Sequence, residues 1–402
     1  MLKRLTSFAV ALVLALTATL PATGQSRSVG LVRDAEVEGI IRAYATPLFQ
    51  AAGLDAESVR IYLVSDDSLN AFVAGGMNLF INTGLLMRAE SANQIIGVIA
   101  HETGHIAGGH LARTQEALKN ASTEAIIAFV LGMAVVVAGQ GDAGTAIIGG
   151  GTAMAQADLL KYSRTQESAA DHAGVSYLDA TGQSSRGMLE FFEILEGQEL
   201  LLTGRQDPYL RTHPLTAERI DFVRQHVENS PFSEAEDPPE FRIKFERMRA
   251  KLVGFLRPLN RVLQDYPESD TSLAARYARA IAYYRAGDLD RSMQLLDQLL
   301  AEHPDDPFFH ELKGQILMEH GRGREAIPYY ETAVRLAPHE PLLRLALAQT
   351  QLDTEDPDLN RSALRHLEEV TRIEQRNASA WRLLSIAYGR DGQLPMAALA
   401  LA

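Results

Sequence analysis

The 402-residue sequence predicts a mainly α fold, with a small β-sheet in its N-terminal half and an α-helical solenoid behind it. Three observations carry this. Apolar residues recur at helical spacing along most of the chain. Two short runs flank Gly75-Gly76, a hairpin signal. Beyond residue 240 the chain superimposes on itself at a shift of 34 residues. Its length suggests two or three domains, and 46% hydrophobic with 22% charged residues is ordinary for globular protein. The net charge of -13 argues against nucleic acid as a partner. With no cysteine, disulfides and thiolate ligands are excluded.

Residues 1–24 read as a signal peptide. Lys3 and Arg4 precede an apolar stretch, Phe8 to Leu20, too short to span a membrane as a helix. Ala22-Thr23-Gly24 supplies small residues for cleavage. Export without cysteines fits a bacterial periplasm.

Leu31 to Phe49 has apolar residues at helical spacing and predicts an amphipathic helix. Val59 to Val64 alternates as a strand, and Asn70 to Ala74 with Asn78 to Asn82 form a hairpin. An edge strand beside a catalytic helix can pair with an extended peptide through its backbone. Met77, Asn78, Leu79 and Phe80 are expected to fill that role.

The next stretch, Val98 to Ala107, is an apolar helix carrying His101-Glu102-Thr103-Gly104-His105. Residues four apart share a helix face, so His101 and His105 can offer two imidazoles to one metal ion. Glu102 lies beside them and can take a proton from water. Zinc hydrolysis chemistry needs this set: neutral nitrogen ligands, one open position and a carboxylate base. One Zn2+ per chain is expected. A longer motif would put a third histidine six residues beyond His105, but that position is Leu111. His110 falls one residue early and reads as a polar surface or packing histidine, as does His172.

Ala125 to Ala138 is uniformly apolar, yet short of the ~20 residues that span a bilayer. With Ala146-Ile147-Ile148 it suggests a helical hairpin, serving as core or lid, with shallow membrane contact as the alternative. A helical pattern from Thr152 to Ala180 then carries Glu167-Ser168-Ala169-Ala170-Asp171. Glu167 is the candidate third metal ligand. Asp171, four residues on, can accept the free ring N–H of a ligating histidine. A helix from Ser185 to Leu202 follows, then a loop with Thr212-His213-Pro214, and a helix from Ala217 to Val227 behind Thr216.

Residues 31–229 are thus expected to form one domain, 230–239 a proline-rich acidic linker, and 240–402 a repeat domain. In the repeats Ala280 and Gly314 share one position, Ser292 and Ala326 another, Pro304 and Pro338 a third. A third copy, with Ala348 and Ala363, is stretched by about three residues at Glu355 to Leu359. A fourth holds Trp381, Ser385, Tyr388 and Ala397. This is the period of tetratricopeptide repeats, helix-turn-helix units that stack. Phe241 to Tyr266 reads as a degenerate helical pair joining the domains. The fourth repeat has no polar cap, so the natural chain is expected to continue past Ala402.

HExxH followed by ExxxD resembles the zinc metalloprotease family of the CaaX prenyl proteases and the heat-shock membrane protease, over roughly Asp34 to Asn229. With a signal peptide and tetratricopeptide repeats, the whole chain is similar to the periplasmic beta-barrel assembly-enhancing protease group. The resemblance implies a zincin-like metalloprotease domain with metal on His101, His105 and Glu167, and Glu102 as general base. It also implies that His213 lies near the metal and can occupy its open position, with Arg219 following as in related proteins. Beyond the metal, a second oxyanion donor is needed, which the sequence does not identify; His213 and Arg219 are two candidates. The implied partners are unfolded or stalled outer-membrane proteins and the barrel assembly machinery, reached through the repeats. The competing expectation is a tetratricopeptide chaperone or adaptor with a largely latent protease site.

Overall fold

The structure, a computed structural model, describes residues 30–110, 164–201 and 213–402. The expected signal peptide, the apolar Ala125 to Ile148 segment, the start of the Thr152 to Ala180 helix and the loop before His213 lie outside the described residues.

The first described element is a strand. Leu31 and Val32, expected to begin a helix, form β1 and pair with β2 (Arg60–Val64). Helix α1 starts only at Ala35 and runs to Ala51, because the Asp34 side chain accepts the amide N–H of Val37 and fixes the start. Strands β3 (Ala71–Ala74) and β4 (Asn78–Asn82) form the expected hairpin. Gly75 and Gly76 turn it with φ of 60° and 101°, a backbone that side chains resist. The four-stranded sheet has the order β1-β2-β4-β3, with β4 parallel to β2.

This order corrects the expectation for Met77 to Phe80. Strand β4 is hydrogen-bonded on both sides, to β2 and to β3, so it has no free edge to offer a peptide. Met77 lies in the turn, where its carbonyl accepts from Arg60. The hairpin was legible, but its return strand inserts beside β2. The sheet's border towards the motif helix is β3.

Helix α2 (Thr83–Arg88) leads into α3 (Ala92–Ala107), the motif helix, whose N-cap Ser91 accepts from the Gln94 amide. Helices α4 (Arg164–Ala180) and α5 (Arg186–Leu201) flank it. Glycines let backbones meet. A Cβ on Gly104 would lie 2.7 Å from the Ala170 carbonyl oxygen, and one on Gly97 2.8 Å from Met188. Helix α6 (Ala217–Asn229) completes the layer around α3.

The segment read as a linker, 230–239, packs against the protease domain, and its last residue, Pro239, already begins the next helix. Asp237 accepts the Asn93 amide at the start of α3, and Ser184 Oγ donates to the Ser233 carbonyl. One hydrophobic core runs from Val37 through α3 into α7 (Pro239–Leu256), taking in Phe245, Met248 and Leu252, and on to Val262 of α8 (Leu259–Asp265) and Ala278. Charged groups strengthen the join. Lys251 lies 2.8 Å from Asp34, and Arg247 lies 2.7 Å from Glu36, whose other oxygen accepts from Tyr277.

Four helical pairs follow: α9 (Leu273–Arg285) with α10 (Leu289–Glu302), α11 (Pro307–Glu319) with α12 (Gly323–Leu336), α13 (Pro341–Asp353) with α14 (Pro357–Ile373), and α15 (Ala378–Arg390) with α16 (Leu394–Leu401). The small residues at the 34-residue positions are buried at the crossings: Ser292 Oγ donates to Ala280, and a Cβ on Gly314 would meet the Tyr330 ring at 3.0 Å. The stretched third copy differs from expectation. Its turn keeps register, with Glu355 at φ 56° where Gly321 stands 34 residues earlier. The extra residues lengthen α14 to 17 residues against 14 in α12.

Candidate metal centre

The site is assembled by three segments around α3. His101 and His105 project from one face of α3 and Glu167 and Asp171 from α4, each pair four residues apart. His213 sits at the mouth of α6, followed by Pro214, and Arg219 lies in its first turn. His101, Glu102, Glu167, Asp171 and His213 are wholly buried, and His105 and Arg219 nearly so.

Ring nitrogens and carboxylate oxygens of His101, His105, Glu167 and His213 all lie within 4.8 Å of one another. Nε2 of His101 is 3.1 Å from Nε2 of His105, 3.3 Å from Nδ1 of His213 and 3.4 Å from Glu167. Glu167 is 3.4 Å from His105 Nε2 and 3.2 Å from His213 Nδ1. Four ligands at tetrahedral zinc distances stand about 3.3–3.4 Å apart, so the donor set fits such an ion. The chemistry of the donors agrees. Nδ1 of His101 lies 2.8 Å from Asp171; with the ring proton on Nδ1, facing that carboxylate, the lone pair of Nε2 is turned towards His105 and Glu167. Lone pairs converging in a dry site repel unless a cation lies between them. Among the described residues neither buried carboxylate oxygen of Glu102 has a hydrogen-bond donor, and His213 Nε2 lies 3.4 Å from Oε1.

Electrostatics follow from burial and partners. Burial pushes the Glu102 carboxyl up, opposed by His213 and His101. Burial would also raise Glu167, but His213, His101 and His105 outweigh it and hold that carboxyl well below the usual range. Asp171 is likewise held low, by Arg219 ahead of His101, against its burial. Burial disfavours charge on His101, yet Asp171 and Glu167 raise it to about 9. His105, where burial dominates, is lowered. Two adjacent carboxyls of opposite tendency, Glu102 up and Glu167 down, suit a base and a ligand respectively.

Arg219 departs from the donor expectation. Its Nε and NH2 atoms hold Asp171 at 2.6 and 2.8 Å, and its NH1 lies 2.7 Å from Glu167 and donates to the Pro214 carbonyl. The guanidinium also lies over the Phe192 ring, 5.0 Å from its centroid. So engaged, its guanidinium is held by Asp171, Glu167 and the Pro214 carbonyl of the His213 turn. Phe192, which sequence reasoning passed over, walls this cluster from α5; nothing in an apolar helix pattern sets it apart. His172 is an exposed residue whose ring lies tilted against Phe222, 3.8 Å between centroids. His110, read as a bystander, has its Nδ1 2.9 Å from Nδ1 of His105.

Fold and site together define a metalloprotease domain carrying a helical repeat array. Residues 32–227 match peptidase family M48, and residues 258–316 and 317–385 match tetratricopeptide repeats. Over most of its length the chain is similar to beta-barrel assembly-enhancing proteases. It is 26% identical to that of Yersinia pestis over 88% of this chain and 73% of the relative. It is 27% identical to a Vibrio cholerae protein given that name as putative, over 82% and 68% of the two chains, and 24% identical to the Escherichia coli K12 protein over 90% and 73%.

Proposed function

We propose that this chain is a periplasmic zinc endopeptidase that acts on unfolded or stalled outer-membrane β-barrel proteins during their assembly. The observation that carries the catalytic part is the convergence of His101, His105 and Glu167 beside the buried, undonated carboxylate of Glu102. His101, His105 and Glu167 would hold the ion, with His213 as a fourth, regulatory ligand. A bound zinc supplies Lewis-acid polarisation of the scissile carbonyl and acidifies a water molecule. Glu102 would be the general base, accepting the proton released in the attack and returning it to the leaving amine, a task its raised pKa suits. Asp171 keeps the His101 ring in its ligating tautomer, and Arg219 keeps Asp171 in place.

Substrate class and location rest on other observations. The names of the relatives support barrel assembly, and the repeats offer a surface for client or machinery. The charged start and apolar Phe8 to Leu20 support export, and no helix among the described residues is long and apolar enough to cross a membrane. The apolar Ala125 to Ile148 segment is read as core or lid, with peripheral membrane contact as the alternative. An acidic chain of this kind takes no nucleic acid as partner.

A second reading, a chaperone-like adaptor with a latent protease, draws on one feature: Nδ1 of His213 lies 3.3 Å from His101 Nε2 and 3.2 Å from Glu167 Oε1, a spacing that would let it take the fourth position of the centre. The test is proteolysis of an unfolded outer-membrane β-barrel protein by the wild-type chain and by Glu102→Gln. Cleavage lost in the variant supports the protease. Barrel assembly sustained equally by both would favour the adaptor.

A further inference from the structure

The motif helix ends in Gly108-Gly109-His110, and the way it ends returns His110 to the metal centre. Gly108 is the C-cap, and its amide donates to Gly104. Gly109 has φ +60°, the left-handed conformation that suits glycine. Its amide donates to Ile106 at 3.1 Å, and the amide of His110 donates back to His105 at 3.2 Å. These are the two bonds of a Schellman motif, which brings the residue after the left-handed glycine over the helix position five residues earlier. Here those residues are His110 and His105. Their Nδ1 atoms lie 2.9 Å apart, with the rings edge to face.

Gly108 makes this possible in a second way. A Cβ there would lie 2.4 Å from Nε2 of His110 and 2.8 Å from two further ring atoms, so any larger residue displaces the ring. The far side is held as well. Gln166 Nε2 donates to the His110 carbonyl at 3.1 Å, tying the turn to the residue that precedes Glu167.

We propose that His110 is a positioning residue for the metal centre: its Nδ1 accepts the Nδ1–H of His105, fixing the ring so that Nε2 presents its lone pair to the ion. The inference rests on the zinc reading of His101, His105 and Glu167. It gives His105 the counterpart of the contact that Asp171 makes with His101. The two ligating rings are then oriented from different elements, His101 by a carboxylate on α4 and His105 by a neutral imidazole just past the end of α3. A neutral acceptor adds no negative charge beside Glu167, which already supplies the carboxylate of the set. Outer partners of ligating histidines commonly tune metal affinity by about 10–100-fold.

The test is the rate at which the zinc-loaded full chain releases its metal to an excess of a chromogenic chelator. His110→Ala removes the acceptor and should release zinc about 10–100-fold faster. His110→Asn, which places a carbonyl oxygen near the position of Nδ1, should recover much of the wild-type rate. Gly108→Ala retains the imidazole but displaces it, and should behave like His110→Ala. The melting temperature of the metal-free chain should be the same for wild type and His110→Asn. Zinc release by His110→Ala at the wild-type rate, or His110→Asn no better than His110→Ala, would overturn the assignment while leaving the metal reading intact. A wild-type chain that holds no zinc would overturn the metal reading itself, and the role of His110 with it.

Discussion

Nδ1 of His101 on α3 lies 2.8 Å from Oδ1 of Asp171 on α4, and both atoms are wholly buried. That one contact joins the two halves of the motif across two helices. It is made possible by Gly104 and Gly174, which let α3 and α4 touch backbone to backbone. Behind Asp171 stands Arg219, so the ligand, its orienting carboxylate and the cation that fixes the carboxylate form a chain through three elements.

The Arg219 assignment separates a positioning residue from an oxyanion donor. Arg219→Met leaves the Asp171 and Glu167 carboxylates buried without their cation, at a cost of about 3–5 kcal/mol. Thermal unfolding should therefore show a melting temperature lower by about 10 °C, with zinc binding weakened in parallel. A variant that melts like wild type, holds zinc and only cleaves more slowly would return Arg219 to the catalytic role.

Gly104→Ala tests the close approach of the helices. Its Cβ would be 2.7 Å from a backbone carbonyl oxygen, which cannot swing aside as a side chain can. Forcing α3 and α4 apart should cost about 1–3 kcal/mol and move Glu167 away from the histidines. Calorimetry and zinc titration should both register the change. Unaltered zinc affinity in this variant would mean that the helices can separate without disturbing the ligand set.

His213→Ala tests restraint of the site. If the imidazole holds the fourth position, its removal should raise basal cleavage several-fold, self-cleavage included, with zinc retained. Abolished cleavage with zinc retained would make His213 a transition-state donor instead, and unchanged behaviour would exclude both roles.

The junction between protease and repeats should be pH-sensitive. Glu311 of α11 has its pKa raised from 4.5 to about 7: burial is the main cause, Lys251 opposes it, and Asp34 and Glu36 add to it. Between those values the folded chain binds more protons than the unfolded one, so this group's contribution to stability falls as pH rises from about 4.5 to about 7. Glu311→Gln stays neutral throughout. It should match wild type near pH 4.5 and exceed it above pH 7, by at most about 3 kcal/mol. Lys251 keeps Asp34 at 2.8 Å as a partner in the variant. Melting temperatures of the two proteins across pH 4.5–8 measure the difference, and a variant less stable than wild type at pH 8 would refute it.

The sequence showed what depends on local spacing. Four-residue intervals placed His101 with His105 and Glu167 with Asp171, and the structure brings those pairs together. Gly75-Gly76 announced the hairpin, and the 34-residue shift announced the repeats. What local spacing could not show was strand order. Nothing in Asn78 to Asn82 says that β2 will pair with it in parallel and cover its outer edge. Leu31 and Val32 fit a helical pattern until Asp34 capped the helix behind them. The contacts of Arg219 are set by where α6 docks, and the approach of His110 to His105 by the left-handed glycine that ends α3. The Gly108-Gly109 pair was visible as a helix stop, but its consequence for the next side chain needs the backbone path.

The most direct measurement is the metal content of the purified chain and two variants. The account predicts about one zinc per chain in the wild type, the same in Glu102→Gln, and a sharp loss in Glu167→Ala. Full zinc occupancy in Glu167→Ala would contradict the ligand set on which the rest depends.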